Sequence, residues 1–134
     1  MAQVVVLLIG LNPDVLDLSG VPAADTESAR AAIQERIERN LATLRRLGYV
    51  ADFCGTATEE KPAADLLLTM MRAKRYNGIV FGADIRLSVP HTRLLERLLN
   101  LAQVTSPDTV IVFDVGWDDT VPAVRRWFTS WDDG

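Results

Sequence analysis

The feature that most constrains this chain is an alternation of short apolar runs with longer segments of helical periodicity. The runs are rich in β-branched residues and leucine, and they fall at residues 3–9, 49–54, 79–81 and 109–115. An unbroken apolar run of so few residues is typical of a strand that is covered on both faces. The runs therefore predict four buried strands.

Each strand is followed by a segment in which apolar side chains recur every three or four residues. Ile37, Leu41 and Leu44 form such a stripe in the first segment, and Phe128 and Trp131 mark the side of the last segment that we expect to be buried. The predicted helices span about 26–47, 62–75, 90–104 and 120–131. The chain is thus four repeats of a strand and a helix.

A strand-helix order of this kind predicts an α/β fold, since parallel strands need right-handed helical crossovers. We expect a three-layer α/β/α sandwich with a mostly parallel four-stranded sheet in the order 2-1-3-4. The length of 134 residues suits a single domain over 1–134. This order changes direction between strands one and three, which opens a crevice at their carboxyl ends.

Composition narrows the classes of function. The formal net charge is -4, so no basic surface for nucleic acid is expected. No apolar run approaches the roughly 18 residues of a membrane span, and the first residues lack the basic leader of a signal peptide. The single cysteine, Cys54, is predicted to be a small buried hydrophobe and fits a reducing compartment. We therefore expect a cytoplasmic protein without a nucleic-acid or membrane partner.

No cofactor or metal is predicted. The turn after strand one, Gly10-Leu-Asn-Pro, has neither the glycine spacing of a dinucleotide fingerprint nor the lysine of a phosphate loop. Receiver domains share the expected architecture, but they carry an acidic pair after strand one, where this chain has Leu11 and Asn12. Phosphoryl transfer to Asp84 is therefore not expected.

The best candidate site is the polar stretch 77–92 that follows strand three. Asp84 and Arg86 are two residues apart in a segment predicted to be extended, so their side chains would point to one side. His91, the only histidine, lies near the predicted start of a helix, where an anion is favoured. The predicted site comprises His91 and Asp84 as catalytic groups, and Asn12, Asp14, Arg86, Ser88 and Asp114 as ligand-binding groups.

Our first hypothesis is that this crevice binds a small carboxylate or phosphate, with Arg86 as a bidentate anchor. Segment 11–25, long for a connection in an α/β unit, would close over the ligand or carry local structure. A purely structural explanation is also open. In it, Asp84 pairs with Arg86, Ser88 caps the following helix, and His91 is a partly exposed residue of its first turn.

Two other functions are open. Strand four and the tryptophan-rich C-terminal segment could form the contact surface of a homodimer or larger homo-oligomer. Trp117 and Trp127 could each line a pocket or lie in such a contact, whereas Trp131 is expected in the core. Alternatively, a hydrolase or isomerase could use His91 with Asp84 or Asp114.

Two stretches carry a resemblance to a known group of proteins. They are Arg-Tyr-Asn-Gly-Ile-Val-Phe-Gly-Ala-Asp-Ile-Arg at 75–86 and Phe-Asp-Val-Gly-Trp-Asp-Asp-Thr-Val-Pro-Ala-Val-Arg-Arg-Trp at 113–127. The chain resembles, over most of its length, small uncharacterised bacterial proteins with a Rossmann-like or flavodoxin-like sheet. The resemblance implies the same α/β fold and brings no activity with it.

Overall fold

The computed structural model describes residues 3–132, with side chains as far as Phe128. The strands are β1 (Val5–Leu11), β2 (Val50–Thr56), β3 (Gly78–Phe81) and β4 (Val110–Phe113). The helices are α1 (Thr26–Arg46), α2 (Glu60–Ala73), α3 (Ala83–Arg86), α4 (Thr92–Thr105) and α5 (Thr120–Asp132). The order of strands and long helices is the predicted one, and α3 is an additional short helix.

The four strands form one parallel sheet in the order β2-β1-β3-β4. At the centre, Val6 lies opposite Ala51 of β2 on one side and Gly78 of β3 on the other. The predicted α/β class and strand order are confirmed. β2 and β4 are the two edges of the sheet, as expected from the order.

Helices cover the sheet on both faces because side chains alternate along each strand. Leu7 and Ile9 of β1 belong to the core shared with α2 and α4, whereas Val6 and Leu8 belong to the core shared with α1 and α5. The predicted stripe of α1 is buried at Ile37, Leu41 and Leu44, and Phe128 of α5 is buried beside it. The side chain of Trp131 lies outside the described residues.

β1 and β2 extend further than the sequence predicted. Gly10 was expected to end the first strand, but the register continues through Gly10 opposite Gly55 to Leu11 opposite Thr56. The next residue, Asn12, still donates its N–H to the Thr56 carbonyl at 2.9 Å. A glycine has no side chain to signal a strand, so backbone pairing with the neighbour decides the boundary.

The segment after β3 is helical and not extended. Arg86 donates its N–H to the Gly82 carbonyl at 3.0 Å, and Leu87 donates to the Ala83 carbonyl at 2.9 Å. These two bonds close the single turn of α3. The prediction of an extended segment was wrong because one helical turn is too short to show a periodic pattern.

Segment 11–25 carries local structure. Short 3₁₀ turns form at Pro13–Val15 and Ala23–Asp25, and Arg30 of α1 donates its guanidinium Nη1 to the Pro13 carbonyl. Leu16 packs against the core. The segment is therefore attached to α1, and closure over a ligand stays a prediction.

The part of the chain that the structure describes contains no helix long and apolar enough to cross a membrane.

Candidate functional site

A pocket, here called the crevice pocket, lies at the carboxyl ends of β1 and β3, where the strand order reverses. It is on the face of the sheet that α1 and α5 cover. Its cavity volume is about 60 Å³, which is room for about four water molecules. It is lined by Leu8, Ile9, Gly10, Ile37, Asn40, Phe53, Val80, Gly82, Ala83, Asp84, Asp114, Gly116, Trp117 and Thr120.

Most of the pocket lining is apolar. Leu8, Phe53 and Val80 come from three neighbouring strands, and Ile37 of α1 and Trp117 close the sides. Trp117 and Trp127 were each predicted to line a pocket or a subunit contact, and Trp117 lines this pocket. A mostly apolar cavity with a few polar groups is the usual character of a small-molecule site.

Asn40 links the two walls of the pocket. Its side-chain Nδ2 donates to the Trp117 carbonyl at 3.0 Å, which joins α1 to the loop before α5. The amide oxygen of the same side chain can only accept hydrogen bonds. Asn40 was not predicted as a site residue, because its position depends on how α1 is rotated over the sheet.

Asp84 lies over the ends of β1 and β3. Its Oδ2 accepts the Leu11 N–H at 2.8 Å. A Cβ atom added at Gly10 would stand 3.2 Å from Oδ2, and one added at Gly82 would stand 2.8 Å from Oδ1. The two glycines therefore provide the space that this carboxyl group occupies, and they account for the glycine at the end of each strand.

Burial raises the pKa of Asp84 above its ordinary value, and the nearby charge of Asp114 raises it further. Hydrogen bonds from the backbone N–H groups of Leu11, Ile85 and Asp84 itself act in the opposite direction. Burial is the largest of these effects, as expected for a carboxyl group withdrawn from water. Asp84 is thus a partly desolvated acid in the lining of a mostly apolar cavity.

Asp114 lies beside Asp84 and holds the site together. Its Oδ1 accepts the Ala83 N–H at 3.0 Å, and its Oδ2 accepts the Thr120 hydroxyl at 2.8 Å. Asp114 is only 5% exposed, and burial is the main cause that raises its pKa. Both carboxyl oxygens are engaged, so Asp114 connects the start of α3 to the start of α5.

Arg86 does not line the crevice pocket. On the helical turn of α3 it points about 200° away from Asp84, and its Nη2 donates to the Asp114 carbonyl at 2.9 Å. Its guanidinium carbon lies 4.9 Å from the centroid of the Phe113 ring. The expectation that Asp84 and Arg86 point to one side was wrong, and no ion pair between them is present among the described residues.

Asn12 and Asp14 form a local hydrogen bond with each other. The Asn12 side-chain oxygen accepts the Asp14 N–H at 2.9 Å and thereby begins the turn Pro13–Val15. Neither residue lines the crevice pocket. Their hydrogen bond fixes the direction in which the chain leaves β1.

Ser88 and His91 also lie outside the pocket lining. Ser88 makes no side-chain cap bond, and it precedes a 3₁₀ turn, Val89–His91, not a helix. His91 immediately precedes α4, and its buried Nδ1 has no hydrogen-bond partner among the described residues. Of the seven predicted site residues, the structure thus brings only Asp84 and Asp114 to the pocket.

Cys54 offers no nucleophile. It is fully buried in the core, and this burial raises the pKa of its thiol to about 12. A thiol of that acidity stays protonated near neutral pH. Its interpretation as a small core residue is confirmed.

The architecture is that of a Rossmann-like or flavodoxin-like sandwich, with a pocket at the reversal of strand order. Comparison with protein-family models, curated proteins and solved structures finds no match to this chain. No group of three or more His, Cys, Asp or Glu side chains that could hold a metal occurs within the described part of the chain. Evidence for the function therefore comes from the geometry and chemistry of the pocket.

Proposed function

We propose that this protein binds a small molecule in the crevice pocket. The observation that carries the proposal is a cavity bounded by Asp84 and Asp114 at the switch point of an open parallel sheet. Ligands of such sheets bind outside the carboxyl ends of the strands at this point. The apolar lining of the pocket would contact the body of the ligand, and Asp84 would orient the ligand.

The anion of the sequence-based hypothesis has little support at this position. Two carboxyl groups line the pocket, and no Lys, Arg or His is among the residues around it. A charge about 4 Å from a like charge is repelled by about 4 kcal/mol in a protein-like dielectric. We therefore retain a small ligand in the crevice and do not retain Arg86 as its anchor.

A pocket-filling substitution tests the binding site. Val80→Leu would extend the wall into the cavity, so ligands should lose affinity by about tenfold, the cost of displacing a small apolar group. The readout is the shift of the Gly10, Gly82 and Gly116 amide signals in ¹⁵N NMR spectra during titration with small amines, alcohols and acids. Val104→Leu, on an exposed side chain at the end of α4, is the matched control. Equal affinities for the wild type and Val80→Leu would contradict the site.

A second candidate function is self-association through the β4 edge. Phe113, Val115 and Trp127 are exposed by 40%, 69% and 41%. Phe113 ends the edge strand β4, and Val115 follows it by two residues. Edge strands with apolar side chains favour pairing with another strand. We propose that this surface binds a second copy of the same chain across a two-fold axis.

Opposite charges lie at the two ends of β4, although the Asp108 carboxylate also lies 3.7 Å from the Arg75 guanidinium of its own chain. Asp108 precedes β4, whereas Arg126 lies at its other end and donates to the Phe113 carbonyl at 3.2 Å. Antiparallel pairing of two β4 strands would place Asp108 of each copy near Arg126 of the other. The proposed homodimer would bring these opposite ends together across the two-fold axis.

Light scattering after size exclusion tests the dimer. We expect the mass of two chains for the wild type and of one chain for Val115→Asp, because a charge in the interface must be desolvated. Val104→Asp, at a side chain that is 80% exposed at the end of α4, should leave the dimer intact. A monomeric wild type at about 100 μM, well above the Kd of a stable dimer, would contradict this candidate.

Cytoplasmic location stays part of the proposal. Its support is the single cysteine with its buried, unreactive thiol, since a reducing compartment needs no disulfide. The net charge of -4 continues to argue against nucleic acid as a partner.

A further inference from the structure

We propose that the ligand of the crevice pocket is a small organic cation, a primary amine in its ammonium form on a short apolar body. This inference rests on the proposed function, and it adds the chemical class of the ligand. The polar side chains and the apolar walls of the cavity together determine which ligands fit.

Most of the polar side-chain atoms in the pocket lining are acceptors, and the donors among them are the Trp117 indole N–H and the second N–H of Asn40. Asn40 uses an N–H on the Trp117 carbonyl, and its amide oxygen can only accept. Thr120 directs its hydroxyl proton to Asp114. Asp84 adds a carboxyl group to the lining. The carboxyl, hydroxyl and amide oxygens are matched by a ligand that brings donors, and an ammonium group has three.

The charge of the pocket also favours a cationic ligand. Asp84 and Asp114 line it, and no basic side chain does. Each Asp114 oxygen already accepts one hydrogen bond, from Ala83 or Thr120, and the residue is only 5% exposed, so Asp114 would act mainly through its charge. Asp84, which is only partly buried and lines the pocket, would make the direct contact.

The apolar wall limits the rest of the ligand. Phe53 and Trp117 bring aromatic rings to the cavity, beside aliphatic side chains of Leu8, Ile37 and Val80. Aromatic faces attract cations as well as methylene groups. The volume of about 60 Å³ takes about four or five non-hydrogen atoms, by comparison with the space of a water molecule. A nucleotide is far larger than this cavity.

Three probes with one four-carbon body separate charge from shape: butylammonium, 1-butanol and butyrate. Each is titrated into ¹⁵N-labelled wild-type protein, and the Gly10, Gly82 and Gly116 amide signals are followed. We expect butylammonium to bind at least about tenfold more tightly than 1-butanol, since a single ion contact of about 1.4 kcal/mol suffices. Butyrate should bind more weakly than 1-butanol.

Asp84→Asn tests the residue that makes the contact. It should reduce butylammonium affinity at least about tenfold, to that of 1-butanol. Asp118→Asn removes the same charge from an exposed residue that does not line the pocket, and it should change affinity by less than about twofold.

A pH series on the wild type tests the same contact without a variant. Butylammonium stays protonated below about pH 9, as a lysine side chain does. Its affinity should fall as pH is lowered through the raised pKa of Asp84, because the protonated carboxyl loses its charge. Asp114, whose pKa is also raised, changes affinity in the same direction, and the affinity for 1-butanol should stay constant.

The outcomes distinguish this inference from the proposed function. If 1-butanol or butyrate binds at the pocket as tightly as butylammonium, the cationic class is wrong and the small-molecule site stands. Butylammonium affinity that is constant with pH also overturns the cationic class. If none of the three probes shifts the pocket signals at high millimolar concentration, both proposals fail.

Discussion

At the scale of single residues, the site depends on glycines that leave room for a carboxyl group. Gly10 and Gly82 lie on neighbouring strand ends, and Asp84 occupies the space above both. A side chain at either glycine would meet the carboxyl oxygens. These glycines are therefore part of the site, although they bring no functional group of their own.

Gly82→Ala should destabilise the protein by about 1–3 kcal/mol, the usual cost of forcing extra atoms into a packed site. The new Cβ would stand 2.8 Å from Asp84 Oδ1 and 3.0 Å from the Ile9 carbonyl oxygen, and the second contact is backbone that cannot rotate away. Urea denaturation measures the change. Gly20→Ala, with nothing within 4 Å of its added Cβ, should alter the free energy of unfolding by less than about 0.5 kcal/mol. Equal stability of the two variants would contradict the close packing at Gly82.

Residue types identified only part of the site in advance. Asp84 and Asp114 were predicted because each follows a buried strand, and parallel strands end at one edge of the sheet. Asn40 and Phe53 were not predicted, since nothing in their local sequence shows which part of a helix or strand overlies the crevice. Their role becomes visible only when α1 and β2 are in place.

At the scale of elements, the sequence predicted what depends on local pattern. Continuous apolar runs identified the strands, and three- to four-residue spacing identified the long helices. α3 was missed, because its first N–H is held by Asp114, 31 residues away along the chain. A helical turn stabilised by so distant a partner has no local signal. That turn is what separates Arg86 from Asp84.

The hydrogen bond between Asp114 and the Ala83 N–H is also part of a network that connects the helices around the pocket. Asp114 at the end of β4 joins α3 through Ala83 and α5 through Thr120, and Asn40 joins α1 to the loop before α5. Three helices are therefore fixed to one another at the pocket. A site supported in this way is held in one geometry before a ligand arrives, which lowers the entropic cost of binding.

At the scale of the whole molecule, the charge distribution agrees with a cationic ligand. The chain has a net charge of -4, and two of its carboxyl groups lie in the pocket at one end of the sheet. A negative protein with an acidic cleft raises the local concentration of cations near that cleft. The predicted edge-to-edge dimer uses β4, so it would extend the sheet on the side away from β1.

The pKa of Asp84 tests the account most directly, since a buried acid and its bound cation affect the same ionisation. Carbon-13 NMR of the labelled carboxyl group would give this pKa with and without saturating butylammonium. We expect a pKa raised above the ordinary aspartate value in the free protein, and a decrease of at least about 1 unit on binding, equivalent to 1.4 kcal/mol. An Asp84 pKa that is the same in the presence and absence of the amine would contradict the account.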